Sequence, residues 1–217
     1  MSLFKGERVF PLAVHYQPRT IGVGENPGDG VSWYDASQLT LYTKMNGVQA
    51  ANQQVLGVNV TAQTATNPSS TSNLMSVALP ANTMNVVGKT IRIKANGVYN
   101  VQGTPTLTFN VGLGATGVLS FISGATTNAA VNMPWDIVAD ITTLTAGTSG
   151  AVVSGGKAAI TLGTNAALAT TTYMNIPAGN TAFNCQSVGN VTVSVLSSTN
   201  NVNTVVVQQF MEVEIGN

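Results

Sequence analysis

Apolar and polar residues alternate along most of the chain beyond residue 74. Over 107–113, Leu, Phe, Val and Leu alternate with Thr, Asn and Gly, and the same period of two recurs over 90–94, 191–195 and 205–215. A period of two places the apolar side chains on one face of a β-sheet. No window of the sequence shows the sustained 3.6-residue period of an amphipathic helix. The pattern therefore predicts an all-β fold.

Clusters of Gly, Pro, Asn and Ser separate the alternating segments and are typical of turns. They lie at 96–97, 103–105, 147–150, 155–156, 177–180 and 197–203. The segments between them number about eight to eleven, as expected of a two-sheet antiparallel β-sandwich. The predicted strands are 74–79, 89–95, 98–101, 105–113, 117–122, 131–144, 150–163, 168–176, 182–187, 190–197 and 204–215.

The run Gly-Leu-Gly-Ala-Thr-Gly at 112–117 has the spacing of a dinucleotide-binding loop. Such a site also requires a helix that opens at the third glycine. A strand pattern follows instead at 118–122. We interpret the run as a hairpin turn, and the sequence gives no other indication of a cofactor.

The composition changes near residue 45. The first 44 residues hold eight of the sixteen charged residues and six of the thirteen aromatic residues, and prolines and glycines interrupt any long helix or strand there. Residues 45–73 are rich in Asn, Gln, Ala, Ser and Thr. The sequence predicts an extended attachment arm and linker over 1–73, before a sandwich over 74–217. The aromatic anchors of the arm would be Phe4, Phe10, Tyr16, Trp33, Tyr34 and Tyr42.

Charge is scarce, at 7 % of residues and with no net charge. Clustered Lys and Arg, which nucleic acids and anionic membranes attract, are missing, so neither is expected as a partner. No stretch reaches the roughly 18 apolar residues of a membrane span, and the first ten residues carry Lys5, Glu7 and Arg8 instead of a signal-peptide core. The lone Cys185 can form no internal disulfide, and a small buried hydrophobic residue is favoured over a reactive thiol.

Catalytic chemistry has little support. His15 has no nucleophile motif near it, and the scarcity of His and Cys argues against a zinc site. On a strand, Asp136 and Asp140 would be about 13 Å apart, and Glu212 and Glu214 about 7 Å apart. The glutamate spacing permits an acid–base pair or a calcium ligand pair, but a solvated or intersubunit sheet face is favoured. We therefore expect no catalytic, cofactor-binding or metal-binding residues and no enzyme activity.

Arg92 and Lys94 share a strand face, with Lys89 at the strand start. In a chain with so few charges, Arg92 and Lys94 could pair with Glu212 and Glu214 across a subunit boundary. The alternative is a solvated edge on which Lys discourages strand addition. Trp135, next to Pro134, is predicted to be a core aromatic residue instead of a sugar-stacking platform.

Several segments carry a resemblance to a known group of proteins. They are LPANT at 79–83, GKTIRIKANGVY at 88–99, TPTLTF at 104–109, PWDIVADIT at 134–142, GTSG at 147–150, GGK at 155–157 and NTVVVQQFMEVE at 203–214. Together they resemble β-sandwich domains of tailed-bacteriophage structural proteins. The resemblance covers 74–215 and contains no catalytic motif.

This resemblance implies a jelly-roll-like homo-oligomer, a trimer in many members, that is assembled in the host cytoplasm and displayed on the virion. The leading hypothesis is a non-enzymatic capsid decoration or head-fibre protein, whose arm binds the major capsid protein or tail and neck proteins. The alternative is a receptor- or glycan-binding tail fibre or tail tip protein with sugar contacts from Tyr99, Trp135 or Tyr173. A glycosidase that uses Glu212 and Glu214 is a third hypothesis.

Overall fold

A computed structural model describes the backbone over 32–35, 40–45, 48–52, 54–164, 167–177 and 179–216, and the side chains over 55–163, 170–177 and 179–216. The chain divides into two compact units. We call Met1–Asn52 the N-terminal unit and Gln53–Asn217 the sandwich unit. None of the described residues forms a helix long and apolar enough to cross a membrane.

The described part of the N-terminal unit is a three-stranded antiparallel sheet. Its strands are β1 (Ser32–Asp35), β2 (Thr40–Met45) and β3 (Val48–Asn52), in the order β1-β2-β3. The backbones of Trp33 and Tyr42 are cross-strand partners. The predicted anchors Phe4, Phe10 and Tyr16 lie outside the described residues, and of Trp33, Tyr34 and Tyr42 only the backbone is described.

The sandwich unit consists of antiparallel strands in two sheets, which confirms the predicted all-β sandwich. The large sheet has the order β12-β11-β10-β7-β15-β4, with β13 beside β11 and β5 beside β15, and the small sheet has the order β6-β14-β8-β9. The strands are β4 (Gln54–Asn59), β5 (Gln63–Thr66), β6 (Ser72–Leu79), β7 (Thr90–Asn100), β8 (Leu107–Leu113), β9 (Thr116–Ile122), β10 (Met133–Thr145), β11 (Ala151–Thr164), β12 (Ala167–Asn175), β13 (Thr181–Ala182), β14 (Gly189–Ser197) and β15 (Val205–Gly216).

The chain passes repeatedly between the two sheets. It leaves the large sheet for β6, returns for β7, and crosses again before β8, β10, β14 and β15. The two last strands take central places, with β14 between β6 and β8 and β15 between β7 and β4. Both sheets are therefore completed by strands that are distant in sequence from their partners.

The core lies between the sheets and is formed by the inward residues of the alternating pattern. Phe109 of β8 packs on Trp135 of β10 with ring centroids 4.7 Å apart, and both side chains are buried. The predictions of Trp135 as a core residue and of Cys185 as a buried one are confirmed. At one open side of the sandwich, Ser154 Oγ of the large sheet donates a hydrogen bond to Val118 O of the edge strand β9.

The hairpin predicted at 112–117 is confirmed, because Gly114 and Ala115 connect β8 to β9 and Gly114 has a φ of +58°. Two other predicted turns, at 96–97 and 155–156, are wrong. Gly97 lies inside β7, where an added Cβ would be 1.9 Å from Val207 O, and Gly156 lies inside β11, where a Cβ would be 2.6 Å from Val138 O. These glycines permit close approach of neighbouring backbones, and turn-forming composition does not reveal that use.

The boundary between the units falls between Asn52 and Gln53, earlier than the sequence predicts. The reason is strand pairing, since β4 pairs with Met211–Ile215 and β5 pairs with Val205–Gln208 of β15. Residues 54–59 and 63–66 of the predicted arm and linker thus supply strands at one edge of the large sheet.

Candidate functional site

Charge is confined to one surface of the sandwich unit. We call the surface of the large sheet that points away from the small sheet the outer face. Of the eight charged residues in 53–217, seven occupy outward positions of this face. The eighth, Lys89, is fully buried at the start of β7. The seven are Arg92, Lys94, Asp136, Asp140, Lys157, Glu212 and Glu214.

Five of these residues form ion pairs within the chain. Arg92 Nε and Nη2 donate to Asp140 Oδ1 and Oδ2 at 2.8 and 3.2 Å. Lys94 Nζ donates to Glu214 Oε1 at 2.9 Å and to Glu212 Oε2 at 3.4 Å. The hydrogen bond to Asp140 raises the pKa of Arg92, and that to Glu214 raises the pKa of Lys94.

The predicted pairing of Lys94 with the two glutamates therefore occurs inside one chain. Strand register explains it, because Glu212 lies opposite Lys94, Glu214 lies opposite Arg92, and Asp140 lies opposite Arg92 on the other side. Because each carboxylate of the glutamate pair binds Lys94, the pair is part of an ion-pair cluster. Contact of these four residues with a second subunit stays a prediction.

Next to the ion pairs, the outer face contains a cleft of about 410 Å³ between β7, β10, β11 and β15. Asn96, Asp136 and Ala159 form one row across three strands, and Val98 and Pro134 form the row beside it. We call this depression the amide cleft. Its floor includes Gly97 and Trp135.

A β-bulge supplies the last wall of the amide cleft. The register of β15 against β7 shifts between Gln208 and Phe210, so Gln209 has no cross-strand partner. Gln208 points inward, fully buried, and its Nε2 donates to Phe210 O at 3.2 Å. Gln209 is exposed and lines the cleft. Bulges reorient side chains in this way beside binding sites.

Some polar side chains of the amide cleft have hydrogen-bond partners within the protein, and others have none among the described residues. Thr161 and Thr170 share a hydrogen bond between their hydroxyls at 3.0 Å. No hydrogen bond to another described residue engages the side-chain amides of Asn96 and Gln209. Burial raises the pKa of Asp136, and the nearby Lys157 partly offsets this. The two amides are free to bind a ligand.

Two buried polar atoms lie close to the cleft floor. Trp135 Nε1 and Gln208 Oε1 have no hydrogen-bond partner among the described residues. Both residues border Gly97, since an added Cβ there would be 2.9 Å from Trp135 Cζ2 and 2.9 Å from Gln208 Cα. An unsatisfied buried polar atom costs about 1–3 kcal/mol. These two atoms therefore lower the free energy of unfolding of the protein.

A second hollow on the outer face is mainly apolar. It measures about 320 Å³ and lies over Gly155, between Val138, Met174 and Ile176. Met174 is 75 % exposed and Ile176 is 71 % exposed. Because Gly155 has no side chain, the outward surface of the sheet is depressed at this point.

The small sheet has a groove of about 370 Å³ on its own outer surface. Its lining includes Asn73, Asn110, Thr192 and Ser194 and contains no charged residue. Gly112 deepens it, because a Cβ there would be 2.8 Å from Thr192 Oγ1. The two outer surfaces of the sandwich thus differ in charge.

Two of the three aromatic residues proposed as sugar contacts are buried in the core. Tyr99 and Trp135 are buried, and Tyr99 Oη donates to Thr161 O at 2.5 Å. Tyr173 is half-buried, and its Oη accepts a hydrogen bond from Gly124 N at 2.6 Å. The expectation that Tyr99 or Trp135 faces a glycan is wrong, since both point into the core.

Sequence reasoning did not identify the amide cleft. It considered Asp136 only as a partner of Asp140, and it interpreted Asn96 as part of a turn. The alternation of apolar and polar residues places Asn96 and Asp136 at outward positions of the sheet. This pattern is the feature of the sequence that could have pointed to the cleft. Neither His15 nor Cys185 is among the described residues that line the cleft. His15 lies outside the described residues, and burial raises the pKa of the Cys185 thiol.

No protein-family model matches the chain, and no curated protein is significantly similar to it. Among solved structures, the CBM2 module of the evolved Dit of Lactobacillus casei BL23 phage J-1 is similar over 81 % of this chain and 80 % of that chain. The TM-score is 0.31 and the sequence identity is 10 %. A likeness of this degree says nothing about function.

Proposed function

We propose that the protein is a non-enzymatic structural component of a bacteriophage virion, a capsid decoration or head-fibre protein. In this proposal the N-terminal unit attaches to the particle and the sandwich unit is displayed. The observation that carries it is the division of the chain at Asn52, which separates a short segment from a sandwich that has its own core.

The composition of the two units supports this division of labour. The N-terminal unit contains half of the charged residues and six of the thirteen aromatic residues of the chain. Aromatic side chains are the residues that most often anchor protein interfaces. The sandwich unit is the part that resembles phage structural proteins, through the segments at 79–109, 134–157 and 203–214.

The expected partners are the major capsid protein or proteins of the neck and tail, together with further copies of this chain. Repeated copies would give multivalent attachment, which strengthens binding without new contacts. Assembly would also add stability to a chain that has one cysteine and no internal disulfide. We propose a trimer, with Arg92, Lys94, Glu212 and Glu214 at or near the subunit contacts.

The attachment claim is tested with the full chain and with a protein comprising residues 53–217. Each is mixed with virus particles from which this protein has been removed, and co-sedimentation measures binding. We expect the full chain to bind and residues 53–217 to remain folded but unbound, with circular dichroism as the folding control. Equal binding by both proteins would show that the sandwich unit attaches and would overturn the proposed role of the N-terminal unit.

Light scattering on a sizing column tests the oligomeric state of the same two proteins. Trimers from both would locate oligomerisation in the sandwich unit and agree with a projecting decoration or fibre protein. Trimers from the full chain alone would assign it to the N-terminal unit. Monomers from both would contradict the proposed trimer in solution.

A receptor- or glycan-binding role at the tail is the second candidate. Two of its three original aromatic contacts, Tyr99 and Trp135, are excluded because their side chains are buried. The amide cleft favours a different form of this candidate, because its unpaired amides face solvent beside apolar surface.

A further inference from the structure

We propose that the amide cleft of the sandwich unit binds a neutral saccharide, with Asn96, Asp136 and Gln209 as its hydrogen-bonding residues. The inference concerns the sandwich unit alone and does not depend on where the N-terminal unit attaches. It is independent of the virion proposal, and each can fail without the other.

The cleft offers polar groups that both donate and accept hydrogen bonds. A sugar hydroxyl both donates and accepts hydrogen bonds. Side-chain amides also do both, and an ionised carboxylate accepts from two hydroxyls. Asn96 and Gln209 have no hydrogen bond to another described residue, whereas the charged groups of the neighbouring ion-pair cluster bind each other. The cleft thus offers polar side chains that no other described residue engages.

Apolar surface lies beside these polar groups in the cleft. Val98, Pro134 and Ala159 line the cleft, and Phe210 is half-buried directly opposite Asn96 on the neighbouring strand. A pyranose ring has polar edges and C–H faces, so it requires this mixture of amides and apolar surface. The volume of about 410 Å³ also lies in the range of roughly 300–1,000 Å³ that is usual for small-ligand sites.

The polar side chains of the amide cleft are preorganised by the paired strands that carry them. The side chains project from β7, β10 and β15 inside the large sheet, and the Thr161–Thr170 hydrogen bond connects the adjacent wall. Groups held on paired strands lose little conformational entropy when a ligand binds. The bulge at Gln209 turns this third hydrogen-bonding side chain, after those of Asn96 and Asp136, toward the cleft.

The charged residues in and near the cleft favour a ligand that carries no charge. Asp136 lines the cleft, and the cations Arg92 and Lys94 are engaged by carboxylates of the chain. The Asp136 carboxylate would repel an anionic sugar, and among the described residues Lys157 is the cation that lowers the pKa of Asp136. A neutral saccharide is therefore favoured over a sialic acid, a uronic acid or a phosphate ester.

The test uses the full chain on an array of neutral and acidic glycans. Saturation-transfer difference NMR with glucose, galactose, mannose, rhamnose and N-acetylglucosamine follows. We expect neutral glycans to bind. Asn96→Ala and Gln209→Ala should each weaken binding by about fivefold, since one neutral hydrogen bond contributes about 1 kcal/mol. Asn110→Ala is the matched control, because Asn110 is a half-buried outward asparagine of the small sheet.

Three outcomes would overturn the proposal. They are the absence of neutral-sugar binding by both methods, binding of acidic glycans only, and a loss of binding in Asn110→Ala that Asn96→Ala does not show. The last outcome would move the site to the small sheet. Circular dichroism of each variant separates lost binding from lost folding. The attachment experiment reads out particle binding, so its result does not alter this one.

Discussion

The two sheets of the sandwich follow the same alternation but present different chemistry to solvent. The outer face of the large sheet carries seven charged residues, an ion-pair cluster and two hollows. The outer surface of the small sheet presents hydroxyls and amides around Asn110 and Thr192. Their inner faces share one continuous core. Alternation therefore determines which residues point outward, while strand order determines the chemistry that the surface acquires.

At Gly97 the large sheet leaves no room for a side chain, and Gly97→Ala would disturb the packing of β7 on β15. The new Cβ would be 1.9 Å from Val207 O and 2.9 Å from Gln208 Cα, both backbone atoms that cannot rotate away. We expect a loss of about 3 kcal/mol or more in the free energy of unfolding, measured by denaturant titration.

Gly117→Ala in the small sheet is the control for Gly97→Ala. No atom lies within 4 Å of its added Cβ. The change in stability should be within about 1 kcal/mol, because only the conformational freedom of the unfolded chain changes appreciably. Equal losses in the two variants would contradict the difference between the sheets.

Tyr99→Phe removes a hydroxyl that connects β7 to the non-adjacent strand β11. We expect a loss of about 1–2 kcal/mol at neutral pH, because Thr161 O loses its donor. Burial raises the pKa of Tyr99 to about 12, against 10.0 for a free tyrosine. The unfolded chain then binds fewer protons above pH 10, so wild-type stability falls between about pH 10 and about pH 12.

Tyr99→Phe lacks this titration, so its disadvantage should shrink as the pH rises through that window. Urea unfolding at pH 7 and pH 11 measures the change. Ser123→Ala is the matched control on the side of the small sheet, since Ser123 Oγ accepts a hydrogen bond from Leu107 N but does not titrate in this range. A constant difference between wild type and Tyr99→Phe at both pH values would refute the prediction.

The smallest effect is expected from the ion pairs. Arg92→Ala removes the pair with Asp140, in which both side chains are nearly half exposed. Such a pair contributes about 0.5 kcal/mol at low ionic strength, and salt screens it. The destabilisation should therefore disappear in 1 M salt, which corresponds to a screening length of about 3 Å. Asn110→Ala should show no dependence on salt, and a salt-independent loss in Arg92→Ala would argue against a role for charge.

Much of the fold could be predicted from the sequence because the alternation of apolar and polar residues is visible within the sequence of each strand. The hairpin at 112–117 and the strands at 107–113 and 131–144 follow directly from alternation and turn residues. Gly97 and Gly156 were misinterpreted because a glycine that permits a turn and one that permits close packing are the same residue. Only the neighbouring strand, Val207 for Gly97, distinguishes the two uses.

The amide cleft could not be predicted because it depends on pairing between distant strands. Asn96 and Asp136 are forty residues apart in sequence but opposite each other in the sheet. Gln209 reaches the cleft only through a bulge, and its alternation with Gln208 and Phe210 gives no sign of that irregularity. The ion pairs could be predicted in part, since Lys94 and the two glutamates were selected, but Asp140 was not recognised as the partner of Arg92.

The central positions of β14 and β15 have a consequence for synthesis of the protein in the cell. A ribosome makes β7 more than a hundred residues before the part of β15 that pairs with it, as the separation of 118 residues between Lys94 and Glu212 illustrates. At about 5–20 residues per second, the nascent β7 waits on the order of ten seconds for that partner. During this interval the growing chain exposes unpaired strand edges, so its successful folding depends on keeping those edges from other nascent chains on the same messenger RNA.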